Sequence, residues 1–263
     1  RAHTLSSRFY TDPRYLELEK SRIFHRTWQC VGHAEQVARS GDYFTFDLAG
    51  EPLLIVRDTE GHLRGCYNIC RHRAGPPAEG CGSRKVFRCL YHGWTYSLDG
   101  RLLNAPEMDG VRDFRHEDFG LRPIHVAEWD SLIFASLDPN AAPLPQWLAD
   151  IPARTKKFQF PRLRFFRRKD YVMECNWKTY IDNYMEGYHL PSVHPSLNRE
   201  LDYSNYEVTL FPNYSLQTSP IRGDRRYKPV PHISPPLGDL GLEAEYYWIY
   251  PNWMLNCYPD NMS

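Results

Sequence analysis

The sequence lacks any apolar run long enough to cross a membrane, and it lacks an excess of charge of either sign. Apolar runs such as residues 132–135 fall far short of the roughly 20 residues that span a bilayer, and no charged-then-apolar leader opens the chain. Its 32 basic and 32 acidic residues give a formal net charge of zero, so no field attracts nucleic acid or an anionic lipid surface. We therefore expect a cytoplasmic protein with neither nucleic acid nor a membrane among its partners.

The chain also lacks the features of a disulfide-rich or repetitive protein. Its seven cysteines are odd in number and unevenly spaced, which indicates a reducing compartment rather than a small secreted domain. No internal repeat or low-complexity tract is present. With 263 residues, 42% of them hydrophobic, the chain can bury one large core or two ordinary ones. Because Arg1 is not an initiator Met and no terminal element precedes Ser263, we expect a fragment.

The first two parts of the chain differ in their patterns. Residues 1–40 predict an N-terminal helical segment, in which Asp12 caps a helix and Pro13 suits its first turn. Residues 41–138 predict a small, mostly antiparallel β module, because short apolar runs alternate with the turn dipeptides Glu60-Gly61 and Asp99-Gly100.

The third part, residues 139–263, predicts a second domain that follows a proline-rich connection. Its pattern predicts a strand at 165–173, a helix at 176–188, and strands at 207–211 and 245–250. The expected fold class is therefore α+β, with a β domain first and a domain of antiparallel sheet and helices second.

Two short motifs combine a thiol with an imidazole in loops between predicted strands. They are Cys70-Arg71-His72 and Cys89-Leu90-Tyr91-His92. Zinc would accept these four ligands, but finger-type sites commonly group the cysteines as one pair and the histidines as another. A Rieske [2Fe-2S] cluster needs two cysteines on one iron and two histidines on the other, and each loop supplies one of each. We predict a Rieske cluster on Cys70, His72, Cys89 and His92, with structural zinc or a chance grouping of the four residues as the alternatives.

The residues around these motifs suit a cluster that relays electrons. Imidazoles in place of thiolates raise the potential of the cluster, and Trp94 and Tyr91 can shield it from water. Four glycines permit close approach of backbone amides: Gly75, Gly80, Gly82 and Gly93. The other cysteines lack a paired histidine, and we interpret them as packing residues: Cys30, Cys66, Cys81, Cys175 and Cys257.

A second pair of histidines, His189 and His194, flanks Pro191. Since the proline ends a helix close to His189, the two histidines cannot share one regular helix face, but they can converge across a bend. With a carboxylate they would form the facial triad of a non-haem Fe(II) enzyme, which leaves positions open for O₂ and substrate. We predict mononuclear Fe(II) on His189 and His194, since a relay needs an acceptor. The alternative is two ordinary, partly buried histidines.

Three polar residues precede this pair. Glu186 lies three residues before His189, on the same face of the predicted helix, where its carboxylate can meet the imidazole. Asp182 and Asn183 are nearby candidates for supporting the catalytic site. The alternative for Glu186 is a solvated helix residue.

These motifs resemble a known family. The strings Asn68-Ile69-Cys70-Arg71-His72-Arg73 and Cys89-Leu90-Tyr91-His92-Gly93-Trp94 are similar to the signature of Rieske non-haem iron oxygenase α subunits, the aromatic-ring-hydroxylating dioxygenase superfamily. The resemblance covers nearly the whole chain. It implies a Rieske domain at 41–138 and, at 139–263, a catalytic domain of the helix-grip, START-like type that is incomplete at its C-terminus.

The resemblance also implies how two irons communicate. Glu186 would join His189 to His92 of the partner subunit in a ring-shaped homotrimer. The third iron ligand would be an Asp downstream of the histidine pair. The late aspartates lack the helical setting that the family uses, so we expect this ligand beyond Ser263: they are Asp224, Asp239 and Asp260.

Within the family, residues 182–189 and 201–207 are most similar to the oxygenases of quaternary ammonium compounds, which act on choline, glycine betaine, carnitine or stachydrine. The resemblance implies a monooxygenase that uses O₂ and electrons from NAD(P)H, delivered by a flavin or ferredoxin-type reductase, to hydroxylate or N-demethylate a small organic substrate. Alternatives are an aromatic-ring-hydroxylating dioxygenase α subunit and a Rieske electron carrier.

Two sets of side chains suit these partners. Arginines near the cluster can dock an acidic reductase or form a solvated basic face: Arg71, Arg73, Arg84 and Arg88. Late aromatic residues can hold a methylated ammonium by cation-π attraction or form a core: Tyr203, Tyr206, Tyr246, Tyr247, Trp248, Tyr250 and Trp253.

Overall fold

The computed structural model describes residues 3–222, 243–259 and 261–262. Its contacts divide the chain into two compact units, Leu18–Leu144 and a second unit that joins Arg1–Glu17 to Pro145–Ser263. Strands dominate the first unit, and the second combines one sheet with helices, so the predicted α+β class is confirmed. No helix in the described part of the chain is long and apolar enough to span a membrane.

Two short helices begin the chain, α1 (Arg8–Thr11) and α2 (Pro13–Arg22). As predicted, Asp12 and Pro13 start the second of them. Oδ1 of Asp12 accepts a hydrogen bond from the N–H of Arg14 at 3.0 Å, which satisfies one of the unpaired amides of the first turn.

The unit Leu18–Leu144 contains three antiparallel sheets, with strand orders β1-β10-β9, β4-β3-β2-β5 and β6-β7-β8. The strands are β1 (Gln29–His33), β2 (Asp42–Leu48), β3 (Glu51–Arg57), β4 (Leu63–Tyr67), β5 (Cys81–Ser83), β6 (Phe87–Arg88), β7 (Thr95–Tyr96), β8 (Leu102–Asn104), β9 (His125–Trp129) and β10 (Leu132–Ser136).

The predicted turns lie where strands reverse. Gly61 has a φ of +83° between β3 and β4, and Gly100 has a φ of +88° between β7 and β8; both values favour glycine. The core of this unit gathers Leu54, Phe87 and Tyr96 with both motif cysteines. The packing of the β module therefore also positions the two loops that carry these cysteines.

The second unit has one antiparallel sheet with strand order β11-β12-β13-β14. Its strands are β11 (Glu207–Leu210), β12 (Tyr214–Pro220), β13 (Glu243–Ile249) and β14 (Trp253–Cys257). Its helices are α3 (Leu144–Leu148), α4 (Ile151–Thr155), α5 (Trp177–Tyr184), α6 (Leu190–Val193) and α7 (Pro195–Glu200).

Helices lie against both faces of this sheet. On one face, the Tyr184 hydroxyl of α5 donates to Oδ1 of Asn256 at 2.7 Å. On the other face, the Tyr214 hydroxyl donates to Oδ1 of Asp150 at 2.7 Å, and Lys157 forms an ion pair with the buried Glu245. Helix α5, which precedes the second histidine pair in the chain, therefore packs on one face of the sheet.

Two elements differ from their predictions. The strand predicted at 165–173 is absent, because no described strand pairs with it, and its apolar side chains stay exposed, Val172 by 97%. Alternation of apolar residues makes a strand only where another strand completes its hydrogen bonds. The helix predicted at 176–188 ends at Tyr184, since the chain turns there to bring Gly187 against Tyr206.

Candidate metal centres

The first four predicted ligands lie in two tight loops, one after β4 and one after β6. In the first, the N–H of Ala74 donates to the carbonyl of Cys70 at 3.0 Å. In the second, the N–H of Gly93 donates to the carbonyl of Cys89 at 2.9 Å. Ala74 and Gly93 have φ values of +58° and +78°, so each loop turns back directly after its cysteine.

The two loops sort their ligands by type. Cys70 and Cys89 are buried, and they lie close enough for Cys70 to contribute to the raised pKa of the Cys89 thiol. The rings of His72 and His92 have centroids 4.4 Å apart, and His72 stacks on Trp94 at 5.0 Å. Each loop thus contributes one member to a thiol pair and one to an imidazole pair.

The spacing of these ligands distinguishes the two metals. Around one tetrahedral zinc, neighbouring ligand atoms would be about 3.3–3.8 Å apart. No three of the four ligand atoms lie within 4.8 Å of one another, because the group that meets this condition in the described residues is Asp58, Glu60 and His62. A thiol pair and an imidazole pair fit the two irons of a [2Fe-2S] cluster, which take one pair each.

Burial leaves one ligand atom without a partner. Nδ1 of His72 is buried and has no hydrogen-bond partner among the described residues. An unpaired buried ring nitrogen is costly, and coordination of a metal ion would remove that cost. The residues present therefore fit a Rieske cluster.

The pKa values of the ligands also fit a bound metal ion. Burial, with a contribution from Cys70, raises the pKa of the Cys89 thiol, and burial together with the nearby His92 lowers the pKa of His72. Without a metal ion, burial disfavours two thiolates. A bound metal cation stabilises the thiolates, and it binds the imidazole in the neutral form that burial already favours.

The predicted surroundings of the cluster are only partly as expected. Trp94 is buried against Phe114 and Phe119, but Tyr91 is 63% exposed. A β-carbon on Gly75 would lie 3.0 Å from Sγ of Cys89, whereas one on Gly80 would meet nothing within 4 Å. Close approach to the thiolates therefore requires a glycine at position 75 and not at position 80.

The packing role predicted for the other cysteines is wrong for two of them. Cys30, Cys66 and Cys257 are buried or half-buried, and desolvation raises the pKa of Cys30 and of Cys66 to about 12. Cys81 and Cys175 are exposed, because one begins the edge strand β5 and the other lies in the exposed segment before α5.

The second histidine pair is brought together by a turn and a short helix. Pro191 lies in the first turn of α6, which begins at Leu190, whereas the sequence predicted only that this proline ends a helix. His189 and His194 flank α6, and their ring centroids are 5.1 Å apart. The histidines therefore converge across a bend, an arrangement in which both can bind one iron.

Glu186 fixes the orientation of His189. The ring nitrogen Nδ1 of His189 lies 2.6 Å from Oε1 of Glu186, and the N–H of His189 donates to Oε2 at 3.2 Å. The contact does not depend on the predicted helix, which has already ended at Tyr184. With its Nδ1–H donated to the carboxylate, His189 presents the lone pair of Nε2 to a metal, as metal-binding histidines commonly do.

Asn183 and Asp182 have different surroundings. Nδ2 of Asn183 lies 3.4 Å from Nε2 of His189. Asp182 instead accepts a hydrogen bond from the Tyr10 hydroxyl at 2.7 Å, so the structure brings Asn183, but not Asp182, to the histidines. Asp182 connects α5 to the N-terminal helix.

The third iron ligand stays a prediction. Within the described residues, no carboxylate forms a close group of three with His189 and His194. Asp224, Asp239 and Asp260 lie outside the described residues.

Tyrosines surround the turn that carries Glu186. The Tyr206 ring packs on Gly187, and its hydroxyl donates to Oε1 of Gln217 at 2.7 Å. The hydroxyls of Tyr246 and Tyr258 lie 2.7 Å apart. Burial raises the pKa of these phenols, so they remain neutral.

The seven predicted aromatic residues do not form one cage. Successive strand residues point to opposite faces, so Tyr246 and Trp248 face away from Tyr247, which is fully buried and donates its hydroxyl to Glu245. Tyr258, which the sequence did not single out, joins Tyr203, Tyr206 and Tyr246 around one apolar cluster. These four tyrosines therefore belong to the packing around a core cluster, which is the alternative that the sequence left open.

We expect Gly187→Ala to be destabilising. A β-carbon there would lie 2.6 Å from Cζ of Tyr206, and overpacking of this kind typically costs about 1–3 kcal/mol. Chemical denaturation should show that loss. Gly82→Ala is the matched control, because its β-carbon would be 3.6 Å from the nearest atom; equal effects of the two changes would contradict the prediction.

Comparisons with known proteins agree with this geometry. The family described as "Rieske [2Fe-2S] domain" matches residues 27–115, and "Ring hydroxylating alpha subunit (catalytic domain)" matches residues 160–263. Chloroplastic choline monooxygenase of Arabidopsis thaliana is 34% identical over 98% of this chain and 62% of its own length. The carnitine monooxygenase oxygenase subunit of Escherichia coli K12 is 31% identical over 98% of this chain and 68% of its own.

A solved structure is similar as well. The quaternary ammonium Rieske monooxygenase CntA in complex with L-carnitine superposes with a TM-score of 0.84 and 31% identity, over 97% of this chain and 68% of that one. The chain spans about three fifths of the length of the choline monooxygenases that it matches.

Proposed function

This chain belongs to the family of ring-hydroxylating oxygenase α subunits, with a Rieske [2Fe-2S] domain followed by a mononuclear iron domain, and from that premise we propose its reaction. It is the oxygenase component of a monooxygenase that hydroxylates or N-demethylates a quaternary ammonium compound such as glycine betaine, choline, carnitine or stachydrine. The observation that carries the proposal is the similarity of nearly the whole chain to choline and carnitine monooxygenases.

Each iron group has its own residues. Cys70, Cys89, His72 and His92 would hold the cluster, and His189 and His194 would hold the mononuclear iron. When bound, the cluster supplies single electrons and the second iron supplies the chemistry that activates O₂. The chain's own residues then position substrate and protons around them.

Glu186 has two functions in this proposal. Its carboxylate holds the Nδ1 proton of His189, as the 2.6 Å contact indicates, and it would also reach His92 of the partner subunit in a homotrimer. His92 is exposed at the surface of the Rieske unit, where a partner subunit can approach it. Electrons would arrive at the second iron through this junction.

The substrate would be held by attraction between its positive charge and the faces of aromatic rings. Neutral phenols at Tyr206 and Tyr246 can contact a methylated ammonium, an attraction worth roughly 0.5–2 kcal/mol. Hydroxylation of an N-methyl group gives a carbinolamine, which releases formaldehyde and leaves the demethylated amine. The overall change consumes O₂, two electrons and two protons, and it forms one water.

The electron source and the compartment are proposals too. A flavin or ferredoxin-type reductase would deliver electrons from NAD(P)H. A reducing compartment suits the free cysteines; the sequence favours the cytoplasm, while the plant relatives are named chloroplastic.

A substrate panel tests the reaction. We expect purified holoprotein, supplied with a reductase and ¹⁸O₂, to form formaldehyde or a hydroxylated product from at least one of the four ammonium compounds. Naphthalene should give no cis-diol. A matched neutral analogue, in which carbon replaces the ammonium nitrogen, should raise KM by about 2- to 30-fold, because it removes the cation-π attraction.

The opposite pattern would reject the proposal. A cis-diol from naphthalene, with no product from any ammonium compound, would indicate a ring-hydroxylating dioxygenase. Equal KM values for the charged and neutral analogues would remove the aromatic ammonium site while leaving the oxygenase assignment in place.

A further inference from the structure

A cavity of about 140 Å³ opens beside Cys89 in the unit Leu18–Leu144. Gly75, Glu79, Arg84, Arg88 and Tyr91 line it, together with Cys89. Gly75 also touches the thiol, since its carbonyl oxygen lies 3.7 Å from Sγ of Cys89. At this point the residue between the cavity and the Cys89 thiol is Gly75, which has no side chain.

The surface around this cavity is basic. Residues 70–92 contain five basic residues and one acidic residue, Glu79, in a chain whose formal net charge is zero. Four of the five are exposed, and none of the four forms an ion pair with an acidic side chain of the described residues: they are Arg73, Arg84, Lys85 and Arg88. Four exposed cations that share this surface with a single carboxylate, Glu79, leave an excess of positive charge that can attract an external negative surface.

The two histidine ligands have different surroundings from those of Cys89. His72 is covered by Trp94, and Trp94 in turn packs on Phe114 and Phe119. His92 is exposed and, in the function proposed above, meets the partner subunit. Because the histidine ligands of the cluster would face the electron acceptor, electrons would enter the cluster through a different surface.

We propose that the cavity and its arginines are the docking surface of the electron-donating protein, a partner with an acidic face and a low-potential one-electron group. This inference rests on the proposed function. Carboxylates of the donor pair with Arg84 and Arg88, and the donor's redox group comes to rest over Gly75, beside Cys89. One electron leaves the donor, the cluster gains it, and no covalent bond forms or breaks.

Charge complementarity predicts how this docking responds to salt and to mutation. An acidic donor is steered to the surface by long-range attraction, which salt screens with a Debye length of about 8–10 Å near physiological ionic strength. Steering of this kind commonly raises association rates 10- to 1,000-fold. A small cationic reductant gains nothing from it.

Stopped-flow reduction of the oxidised cluster tests the proposal. The probe is a chemically reduced, acidic plant-type ferredoxin, whose potential lies below that of Rieske centres. We expect Arg84→Glu/Arg88→Glu to lower the second-order rate constant at low salt by about 10-fold or more and to flatten its salt dependence. Reduction by the methyl viologen radical cation should not slow. Lys85→Glu, an exposed residue that does not line the cavity, should lower the ferredoxin rate by a smaller factor.

Arg112→Glu is the matched control, since Arg112 is also exposed and precedes Phe114 on the side of Trp94. An equal effect of Arg112→Glu, or an unchanged ferredoxin rate in an Arg84→Glu/Arg88→Glu variant that keeps its cluster, overturns the proposal. Should the double variant lose its cluster, the Lys85→Glu rate decides. Absence of a Rieske signal in the wild-type protein would instead reject the proposed function, so the two failures are distinguishable.

Discussion

Glu186→Gln is expected to lower turnover by about 100-fold while leaving the Rieske cluster intact. The carboxylate that faces Nδ1 of His189 at 2.6 Å becomes an amide, which cannot offer two acceptor oxygens to the ring N–H and the backbone N–H. Replacement of such a partner typically costs 10- to 100-fold in metal affinity or activity. The upper end applies because the same carboxylate is proposed to join the two iron centres between subunits.

Single-turnover kinetics separates positioning from a structural role. In Glu186→Gln, reduction of the cluster should be normal, and its reoxidation in the presence of substrate and O₂ should be slow, even in molecules that retain the mononuclear iron. A role confined to folding would change the unfolding free energy and leave reoxidation per loaded site unchanged. Glu186→Asp keeps the charge and should recover part of the rate.

Glu174→Gln provides the matched control. Glu174 is exposed in the segment before α5, and removing its charge should change turnover by less than about 2-fold, as surface substitutions away from specific contacts rarely matter. If Glu174→Gln and Glu186→Gln gave the same loss, the effect would come from net charge and not from the contact with His189.

The sequence predicted those features that depend on residue type at short range. Cys70 and His72 lie two residues apart, and Cys89 and His92 lie three apart, so each loop carries its ligands whatever the rest of the chain does. The contact of Glu186 with His189 was predicted for the same reason, although the supporting helix ends before it. Three residues of chain bring the two side chains together in a turn as well as in a helix.

Features that depend on distant partners were missed. Strand β12 has a polar face, Ser215, Gln217 and Ser219, and all three are buried. Gln217 is satisfied by Tyr206 and by the carbonyl of Tyr184, partners that local pattern does not reveal. Residues 165–173 show the converse, because their alternation predicted a strand that no described neighbour pairs with. Pairing, and not propensity, decided both outcomes.

Separate removal of the two iron sites is expected to give different iron contents and the same loss of activity. Cys89→Ser replaces a buried thiol that touches Gly75 by a hydroxyl, a poor ligand for iron. Iron should fall from about three to about one per chain, since both irons of the cluster leave together, and the anisotropic EPR signal of the reduced cluster should disappear. His194→Ala should leave about two irons and an unchanged signal.

The controls distinguish ligand loss from general damage. Cys81→Ser alters an exposed cysteine of the same unit and should retain all three irons and full turnover. Turnover should be undetectable in both Cys89→Ser and His194→Ala, because an electron relay without its acceptor is as inactive as an acceptor without its relay. If zinc replaced iron in the wild-type protein, or if His194→Ala kept three irons, the two-centre account would be wrong. Iron analysis beside EPR thus measures each centre without reference to the substrate, so the metal chemistry can be established before the natural substrate is known.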